Sequence, residues 1–230
     1  MGLTVYYNLA LPGDQPEARV CAILEALQGT ALELAVEQIT PLRRIEGSDC
    51  EGFERQEVGL EWLIRCFAAR PVEDPRDSRR ALTVAPTAAY GFGAVVGRCE
   101  PVILGLGRYP STIEDAGTQQ PTALEGWSWH ACTKTQYASV RSIDHFVRCH
   151  RAVIALLDAA RALDLEVEVR DDSGYWDHRD EGRLVESVES WNSIVARIAG
   201  RVADGMEATE LKVNSAVFHH PEFERLEMNR

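Results

Sequence analysis

Residues 127–138 read WSWHACTKTQYA, and polar residues alternate there with aromatic, small and β-branched ones. Such alternation is typical of a β-strand, in which successive side chains point to opposite faces of the sheet. One face then carries Trp127, Trp129, Ala131, Thr133, Thr135 and Tyr137. The other face carries Ser128, His130, Cys132, Lys134 and Gln136. The stretch therefore predicts a strand with one aromatic face and one polar face.

Two interpretations of the polar face are open. Consecutive side chains on it lie about 6.6 Å apart, which is too far for direct hydrogen bonds but suits the binding of one small ligand. His130 and Lys134 would be an acid–base pair, and Cys132 a nucleophile if a nearby cation lowered its pKa. Alternatively, the tryptophans face the core and the polar row faces solvent, as in a half-buried antiparallel sheet.

Helices and strands are mixed along the rest of the sequence. Helices are predicted over 14–29, with Asp14 as N-cap and Gly29 past the end, over 142–163, and from Asp180 to about 205. Further strands are predicted over 3–11, 33–45, 81–90, 101–107 and 166–170. Several neighbouring strands lack a crossover helix between them. The sequence therefore predicts an α+β fold, with a mixed, mainly antiparallel sheet covered by two or three long amphipathic helices.

We predict a single domain spanning 1–230, since this length can bury most of its apolar surface without disulfides. Residues 70–80, RPVEDPRDSRR, combine prolines with mixed charge, so they predict a solvated loop and are the candidate lobe boundary. A second polar loop is predicted over 111–126. Residues 60–68 fit either a strand or a short helix, and the glycine-rich stretch 89–98 is interpreted as a hairpin turn with close backbone packing.

Composition excludes several classes of function. The net charge of −12 disfavours binding to nucleic acid or to anionic membranes. The longest uncharged stretch, 81–97, is interrupted by proline and glycine and is too short to span a membrane. The six cysteines are scattered without a C-x-x-C pair, and the N-terminus lacks the features of a signal peptide. These features predict a cytoplasmic protein without a metal site or bound cofactor.

A second group of reactive residues lies on the helix predicted over 142–163. His145 and Cys149 are one turn apart on one flank, whereas His150 lies in the apolar stripe and must point at the sheet. His150 is interpreted as a core histidine with satisfied ring nitrogens. The alternative, a three-ligand metal site shared with His130 or Cys132, lacks the spacing of a zinc signature.

Two further segments predict binding. Arg108 follows two glycines in GLGRYPST, where a flexible backbone and a guanidinium can hold a carboxylate or phosphate. The alternative explanation of this segment is a strand that ends in a turn. The loop 171–180 places acidic residues and a histidine around Tyr175 and Trp176, as in a binding loop. A turn and a helix cap, with Asp180 as the cap, are the alternative explanation of that loop.

A resemblance to a family of uncharacterised bacterial proteins is carried by four segments: GLGRYP (105–110), CTKTQYA (132–138), CHRAVIALLDAARAL (149–163) and GYWDHRD (174–180). The resemblance covers the second half of the chain and, more weakly, the N-terminal strand and helix. It implies a bacterial cytosolic protein and transfers no activity, cofactor or site residue.

Together these features predict a protein that binds a small molecule or a protein partner through a surface formed by strand 127–137, the Arg108 turn and the loop 171–180. The predicted binding residues are Arg108, Gln136, Tyr175, Trp176, Asp177 and His178. One alternative is an enzyme that uses His130 and Lys134, with Cys132 as a further candidate, on a small anionic or carbonyl substrate. The other is a structural subunit whose aromatic surface is an interface.

Overall fold

The computed structural model describes residues 2–34, 36–50 and 59–206, and it describes side chains there except at 78 and 199–206. The C-terminal tail over 217–230, which its charge predicts to lie on the surface, is outside the described residues. Within the described part, no helix is both long enough and apolar enough to cross a membrane.

The strands are β1 (Thr4–Leu11), β2 (Gln38–Ile39), β3 (Arg43–Ile45), β4 (Arg70–Asp74), β5 (Asp77–Val84), β6 (Ala88–Val95), β7 (Val102–Arg108), β8 (Thr112–Asp115), β9 (Thr118–Pro121), β10 (Trp127–Lys134) and β11 (Glu166–Asp171). The helices are α1 (Glu17–Glu33), α2 (Leu60–Ala68), α3 (Ile143–Ala162), α4 (Tyr175–His178) and α5 (Glu181–Met206). Two short 3-10 helices, Gly47–Cys50 and Gln136–Val140, complete the described elements.

The main sheet has the strand order β11-β1-β10-β7-β6-β2, and β3 also pairs with β6. All of its pairings are antiparallel. Two hairpins, β4–β5 and β8–β9, form separate two-stranded sheets. The predicted α+β class is confirmed.

Strand β10 has the predicted alternation. Trp127 and Trp129 are 1% and 0% exposed, whereas His130 is exposed and Cys132 is half-buried. The pairing with β1 is continuous, from Thr4 opposite Lys134 to Leu11 opposite Trp127. Because side-chain parity is fixed along such a regular strand, the aromatic face is the core face.

Strands β10 and β7 separate soon after they meet. In the described structure they pair only at Trp127 and Ser128. Beyond that point, side chains replace the backbone hydrogen bonds between the two strands. The indole N–H of Trp129 donates to the Ile103 carbonyl at 3.0 Å. The Tyr7 hydroxyl donates to the same carbonyl and accepts from Ile103 N. Buried backbone polar groups need partners, so these two aromatic side chains hold the gap closed.

Glycines let bulky groups approach the sheet. A Cβ at Gly105 would lie 2.9 Å from the Trp129 ring, and one at Gly91 would lie 3.1 Å from Ile64 of α2. Residues 60–68, which fit either a strand or a short helix in the sequence, form the helix α2, and this helix packs on β6 and β7. The predicted close backbone packing is present, but Gly91 and Gly93 lie inside β6, so the predicted hairpin turn falls instead at Gly97.

Helix boundaries agree with the sequence for α3 and α5 but not for α1. Asp180 accepts from Arg183 N at 3.2 Å, so the predicted cap of α5 is confirmed, and the Ser142 hydroxyl accepts from His145 N at 3.0 Å at the start of α3. The prediction for α1 was wrong at both ends, because the helix runs from Glu17 through Gly29 to Glu33 without a side-chain cap. Asp14 instead forms an ion pair with Arg108.

The strand predicted over 33–45 was correct only in part, since α1 ends at Glu33 and two short strands, β2 and β3, follow. The predictions of solvated loops over 70–80 and 111–126 were wrong. The first forms most of the hairpin β4–β5, and the second contains the hairpin β8–β9. The lobe boundary placed at 70–80 stays a prediction.

Ion pairs explain the charged hairpins. Asp74 is 2% exposed at its side chain and accepts from Arg76 at 2.9 Å and from Arg80 at 3.2 Å. The same two arginines pair with Asp115 of β8, and the hydrogen bonds from Arg76 lower the pKa of Asp74 to about 2. Charges that predict a solvated loop are thus paired between the two hairpins.

Candidate functional site

His130 and Lys134 share the polar face of β10, but their functional groups do not converge. His130 Nδ1 lies 2.6 Å from Asn8 Oδ1. Lys134 Nζ donates to the Tyr137 hydroxyl at 3.2 Å and lies 4.7 Å from the centre of that ring. Burial, and then Glu100, raise the pKa of the Cys132 thiol, which disfavours its thiolate. A catalytic role for these residues stays a prediction.

The predicted binding residues on the strands have structural partners. Arg108 pairs with Asp14 and lies 5.7 Å from the centre of the Trp127 ring. Gln136 is buried, accepts from Leu3 N at 3.2 Å and donates to Asn192 at 3.1 Å.

The predicted binding loop is folded around its aromatic residues. Tyr175 and Trp176 are buried in α4, and the guanidiniums of Arg161 and Arg179 lie 4.6 and 4.8 Å from the centre of the Trp176 ring. Asp177 and His178 are exposed. This loop follows β11 near the Lys134 end of the sheet, whereas Arg108 lies at the Trp127 end, roughly 23 Å away along β10. The structure does not bring the predicted binding residues together on one surface.

His150 is a buried core histidine, as predicted. Its side chain and that of Asp171 are both 0% exposed, with His150 Nε2 3.2 Å from Asp171 Oδ2. Its Nδ1 lies 2.9 Å from the Thr135 hydroxyl. Asp171 also accepts from the backbone N–H groups of Ser173 at 2.9 Å and Trp176 at 3.0 Å. These bonds join α3, β11 and α4.

Hydrogen bonds decide the ionisation of Asp171. Burial acts to raise the pKa of its carboxyl, but bonds from His150 and Ser173 outweigh burial and hold the pKa below its ordinary value. A carboxyl with a depressed folded pKa stabilises the fold fully above its unfolded pKa of about 3.9, and this stabilisation is lost as the pH falls through the folded pKa.

We therefore expect the stability advantage of the wild type over Asp171→Asn to shrink as the pH falls below about 4. Urea unfolding at each pH measures it. A difference that stays constant down to pH about 3 would show that the carboxylate is not the source.

A concave cavity of about 300 Å³ lies between the first half of α3 and the turn that contains Gly97. Its lining residues are Glu37, Val96, Gly97, Arg141, His145, Arg148, Cys149 and Ala152. Those from 141 to 152 recur at intervals of three and four residues, so they share one face of α3 and the turn before it. Glu37, Arg141 and Arg148 are exposed, so the cavity reaches the surface.

Cys149 lines this cavity and has a polar partner in His145. Its Sγ is 3.5 Å from His145 Nε2, and Gly97, two residues before Cys99, lies against the same sulfur. Cys99 Sγ also lies 3.7 Å from the Thr135 carbonyl oxygen. The two cysteines are only 5% and 8% exposed, so access to Cys149 is through the cavity.

The surroundings favour the thiolate of Cys149 over that of Cys99. The hydrogen bond from Cys99, and then the positive charges of Arg148 and Arg141, lower the pKa of Cys149 despite burial. The same contact and burial raise the pKa of Cys99. Burial, and then the nearby arginines, lower the pKa of His145, so its ring is neutral at neutral pH and can accept the Cys149 proton.

Gly97 is required beside the sulfur. Its φ is +55°, and a Cβ there would lie 2.8 Å from His145 Nε2 and still closer to Cys149 Sγ. A side chain at this position would therefore be strained and would also enter the site.

We expect Gly97→Ala to lower the free energy of unfolding by about 1–3 kcal/mol, measured by urea unfolding. Gly117→Ala is the matched control, because Gly117 has φ +74° and a Cβ added there would meet no atom within 4 Å. Equal losses of unfolding free energy in the two variants would mean that the contact of the added Cβ with Cys149 and His145 does not destabilise the fold.

Comparison of the chain with protein-family models, with curated proteins and with solved structures gives no match. The resemblance of the four segments to a bacterial family stays a prediction. The chemistry of the cavity therefore follows from its own side chains. Among the described residues, no group of three or more His, Cys, Asp or Glu side chains is placed to hold a metal ion.

The sequence pointed to part of this cavity. The spacing of His145 and Cys149 places them one turn apart on one flank of α3, as the structure has them. The roles of Arg141 and Arg148 were missed, although both continue the same helical flank. The contribution of Glu37 could not be predicted, since it lines the cavity from a segment distant in the sequence.

Proposed function

We propose that the protein binds a small anionic molecule in the cavity at the first half of α3. The observation that carries this proposal is the grouping of Arg141, Arg148 and His145 around one concave space of about 300 Å³. Guanidinium groups bind carboxylate and phosphate oxygens through paired hydrogen bonds, and Arg is well suited to this task.

The charge of the cavity supports an anionic ligand. The chain carries a net charge of −12, so an anion is repelled by most of the surface. The cavity lining has two arginines and one glutamate, which makes it locally positive. Among the described residues, the ion pairs within 4.0 Å on α3 involve His150, Arg151 and Asp158 but neither Arg141 nor Arg148. Both guanidiniums are therefore available to a ligand.

The size and the remaining lining narrow the class of ligand. Small-molecule sites are usually about 300–1,000 Å³, so this cavity suits a small metabolite rather than a polymer. Glu37 is a hydrogen-bond acceptor on the same lining. The ligand class is therefore a carboxylate or phosphate compound that also carries a hydroxyl or amino group.

The proposal keeps the predicted small ligand and moves its site from β10 to α3. We also propose a cytoplasmic location, since all six cysteines are free thiols, which suits a reducing compartment. An enzyme that uses His130 and Lys134 stays a prediction, as does the interaction subunit.

A thermal-shift panel tests this function. The probes are inorganic phosphate and small hydroxy- and amino-carboxylic acids, each compared with the corresponding neutral alcohol or amide at constant ionic strength. A ligand present at 100 times its Kd stabilises by about 2.7 kcal/mol, which corresponds to a rise of roughly 5–10 °C in Tm. At least one anionic probe should produce a rise of this order.

The double variant Arg141→Gln/Arg148→Gln should lose the rise. Arg151→Gln is the matched control, since Arg151 is on the same helix and pairs with Glu181 at 2.6 Å instead of lining the cavity. No rise with any anion in the wild type, or an equal rise in the double variant, would overturn the proposal.

A further inference from the structure

We propose that Cys149 reduces small hydroperoxides and that Cys99 resolves the oxidised product as a disulfide. This activity goes beyond anion binding, because it depends on the two sulfurs and not on the ligand held by the arginines. The geometry that supports it is that Cys149 lines the cavity, that its Sγ lies 3.5 Å from His145 Nε2, and that Gly97, two residues before Cys99, lies against the same sulfur.

The two sulfurs are placed for a disulfide. Cys99 follows the Gly97 turn and Cys149 lies in α3, so they come from elements far apart in the sequence. Gly97, two residues before Cys99, lies against Cys149 Sγ, so this turn brings Cys99 close to Cys149, and a disulfide forms once the two sulfurs reach a bond length of about 2.05 Å. Cys99 does not line the cavity, so a substrate meets Cys149 first.

The first step breaks the O–O bond of the peroxide. His145 Nε2 accepts the proton of the Cys149 thiol, and the thiolate attacks the terminal peroxide oxygen. A sulfur–oxygen bond forms, the O–O bond breaks, and the alkoxide leaves with the proton that His145 returns. Arg148 and Arg141 line the same cavity, where their positive charges would stabilise the negative charge that develops on the leaving oxygen. The products are an alcohol, or water from hydrogen peroxide, and Cys149 sulfenic acid.

The second step forms the disulfide. The sulfur of Cys99 attacks the sulfur of the Cys149 sulfenic acid, and the hydroxyl leaves as water with the proton of Cys99. One hydroperoxide and two thiols thus give one alcohol, one water and one disulfide. An external dithiol restores both thiols by exchange and becomes a disulfide itself.

Three of the other cysteines are less suited to the first step. Burial raises the pKa of the Cys21, Cys66 and Cys132 thiols, so the thiolate is disfavoured at each. Oxidation should therefore favour Cys149 over these three.

Peptide mapping by mass spectrometry tests the proposal on the reduced full-length protein. One equivalent of hydrogen peroxide is added, and the remaining thiols are then alkylated. The wild type should yield a disulfide between the peptides of Cys99 and Cys149. In Cys99→Ser, dimedone should trap a sulfenic acid on Cys149. Cys21→Ser is the control and should form the same disulfide as the wild type.

Peroxide consumption with an added dithiol gives a second readout. Cys149→Ala is expected to lower its rate at least about tenfold, and Cys149→Ser is a second variant if alanine disturbs folding. Anion binding is measured by the thermal shifts of the wild type and of Arg141→Gln/Arg148→Gln, without any cysteine variant, so failure of this proposal is distinguishable from failure of anion binding. Dimedone labelling spread evenly over Cys21, Cys66 and Cys132, or absence of the Cys99–Cys149 disulfide in the wild type, would overturn it.

Discussion

Asp171→Ala is expected to lower the free energy of unfolding by about 3–5 kcal/mol, because removing one partner of a buried pair leaves the other uncompensated. The His150 ring and the backbone N–H groups of Ser173 and Trp176 would each lose a bond to the carboxylate. All of these groups lie between α3, β11 and α4, so water cannot replace the carboxylate without opening that junction.

Urea unfolding followed by circular dichroism measures this loss. Asp177→Ala is the matched control, since Asp177 is an exposed aspartate of the neighbouring helix α4. The control should change stability by no more than about 0.5 kcal/mol. A loss in Asp171→Ala as small as in the control would show that the buried pair does not hold these elements together.

Trp129→Ala is expected to cost about 3–5 kcal/mol, the usual range for removing a buried large aromatic side chain. Trp129 is 0% exposed and fills the gap where β10 leaves β7. Its loss would create a cavity in the centre of the sheet and would remove one bond to the Ile103 carbonyl.

Trp129→Phe separates these two effects. It keeps most of the ring and removes the indole N–H, so a loss of only about 1–2 kcal/mol is expected. Guanidinium unfolding gives both values. If Trp129→Ala were no more costly than Trp129→Phe, the packing of the ring would not be what closes the gap between the strands.

Local patterns predicted those parts of the fold that local physics determines. Alternation over 127–134 is enough to assign the core face of β10, because parity is fixed along a regular strand. Ser142 and Asp180 are recognisable caps, because a cap bonds to backbone within the next turn. The same patterns cannot show what a distant segment contributes.

Errors arose where tertiary contacts decide the structure. Asp74 and Arg76 lie in a charged, proline-containing stretch that forms part of the hairpin β4–β5. Arg76 pairs with Asp74 in this hairpin and with Asp115 in the hairpin β8–β9. Gly91 suggests a turn in the sequence, but it lies within β6 where α2 approaches the backbone. Neither partner is visible from the local sequence.

Some residues of the candidate cavity are predictable from the local sequence, and others are not. His145 and Cys149 are predictable as neighbours, since they are four residues apart on a helix. Gly97 and Glu37 reach the cavity from the turn after β6 and from the segment before β2, and neither is predictable from the sequence of α3. On the polar face of β10, by contrast, the sequence correctly predicts reactive residues in one row, but their functional groups do not converge on one point.

The most direct test of the central claim, that the cavity at α3 binds a small anion, is the rate of Cys149 alkylation with and without inorganic phosphate. Iodoacetamide labelling at constant ionic strength is followed for each cysteine by mass spectrometry. If phosphate occupies the cavity, Cys149 should react about tenfold more slowly at a phosphate concentration of about ten times Kd, because only the unoccupied fraction reacts. Labelling of Cys21 and Cys66, which lie outside the cavity, should not change. An unchanged ratio of Cys149 to Cys21 labelling at saturating phosphate and at saturating hydroxy- and amino-carboxylic acids would contradict the claim.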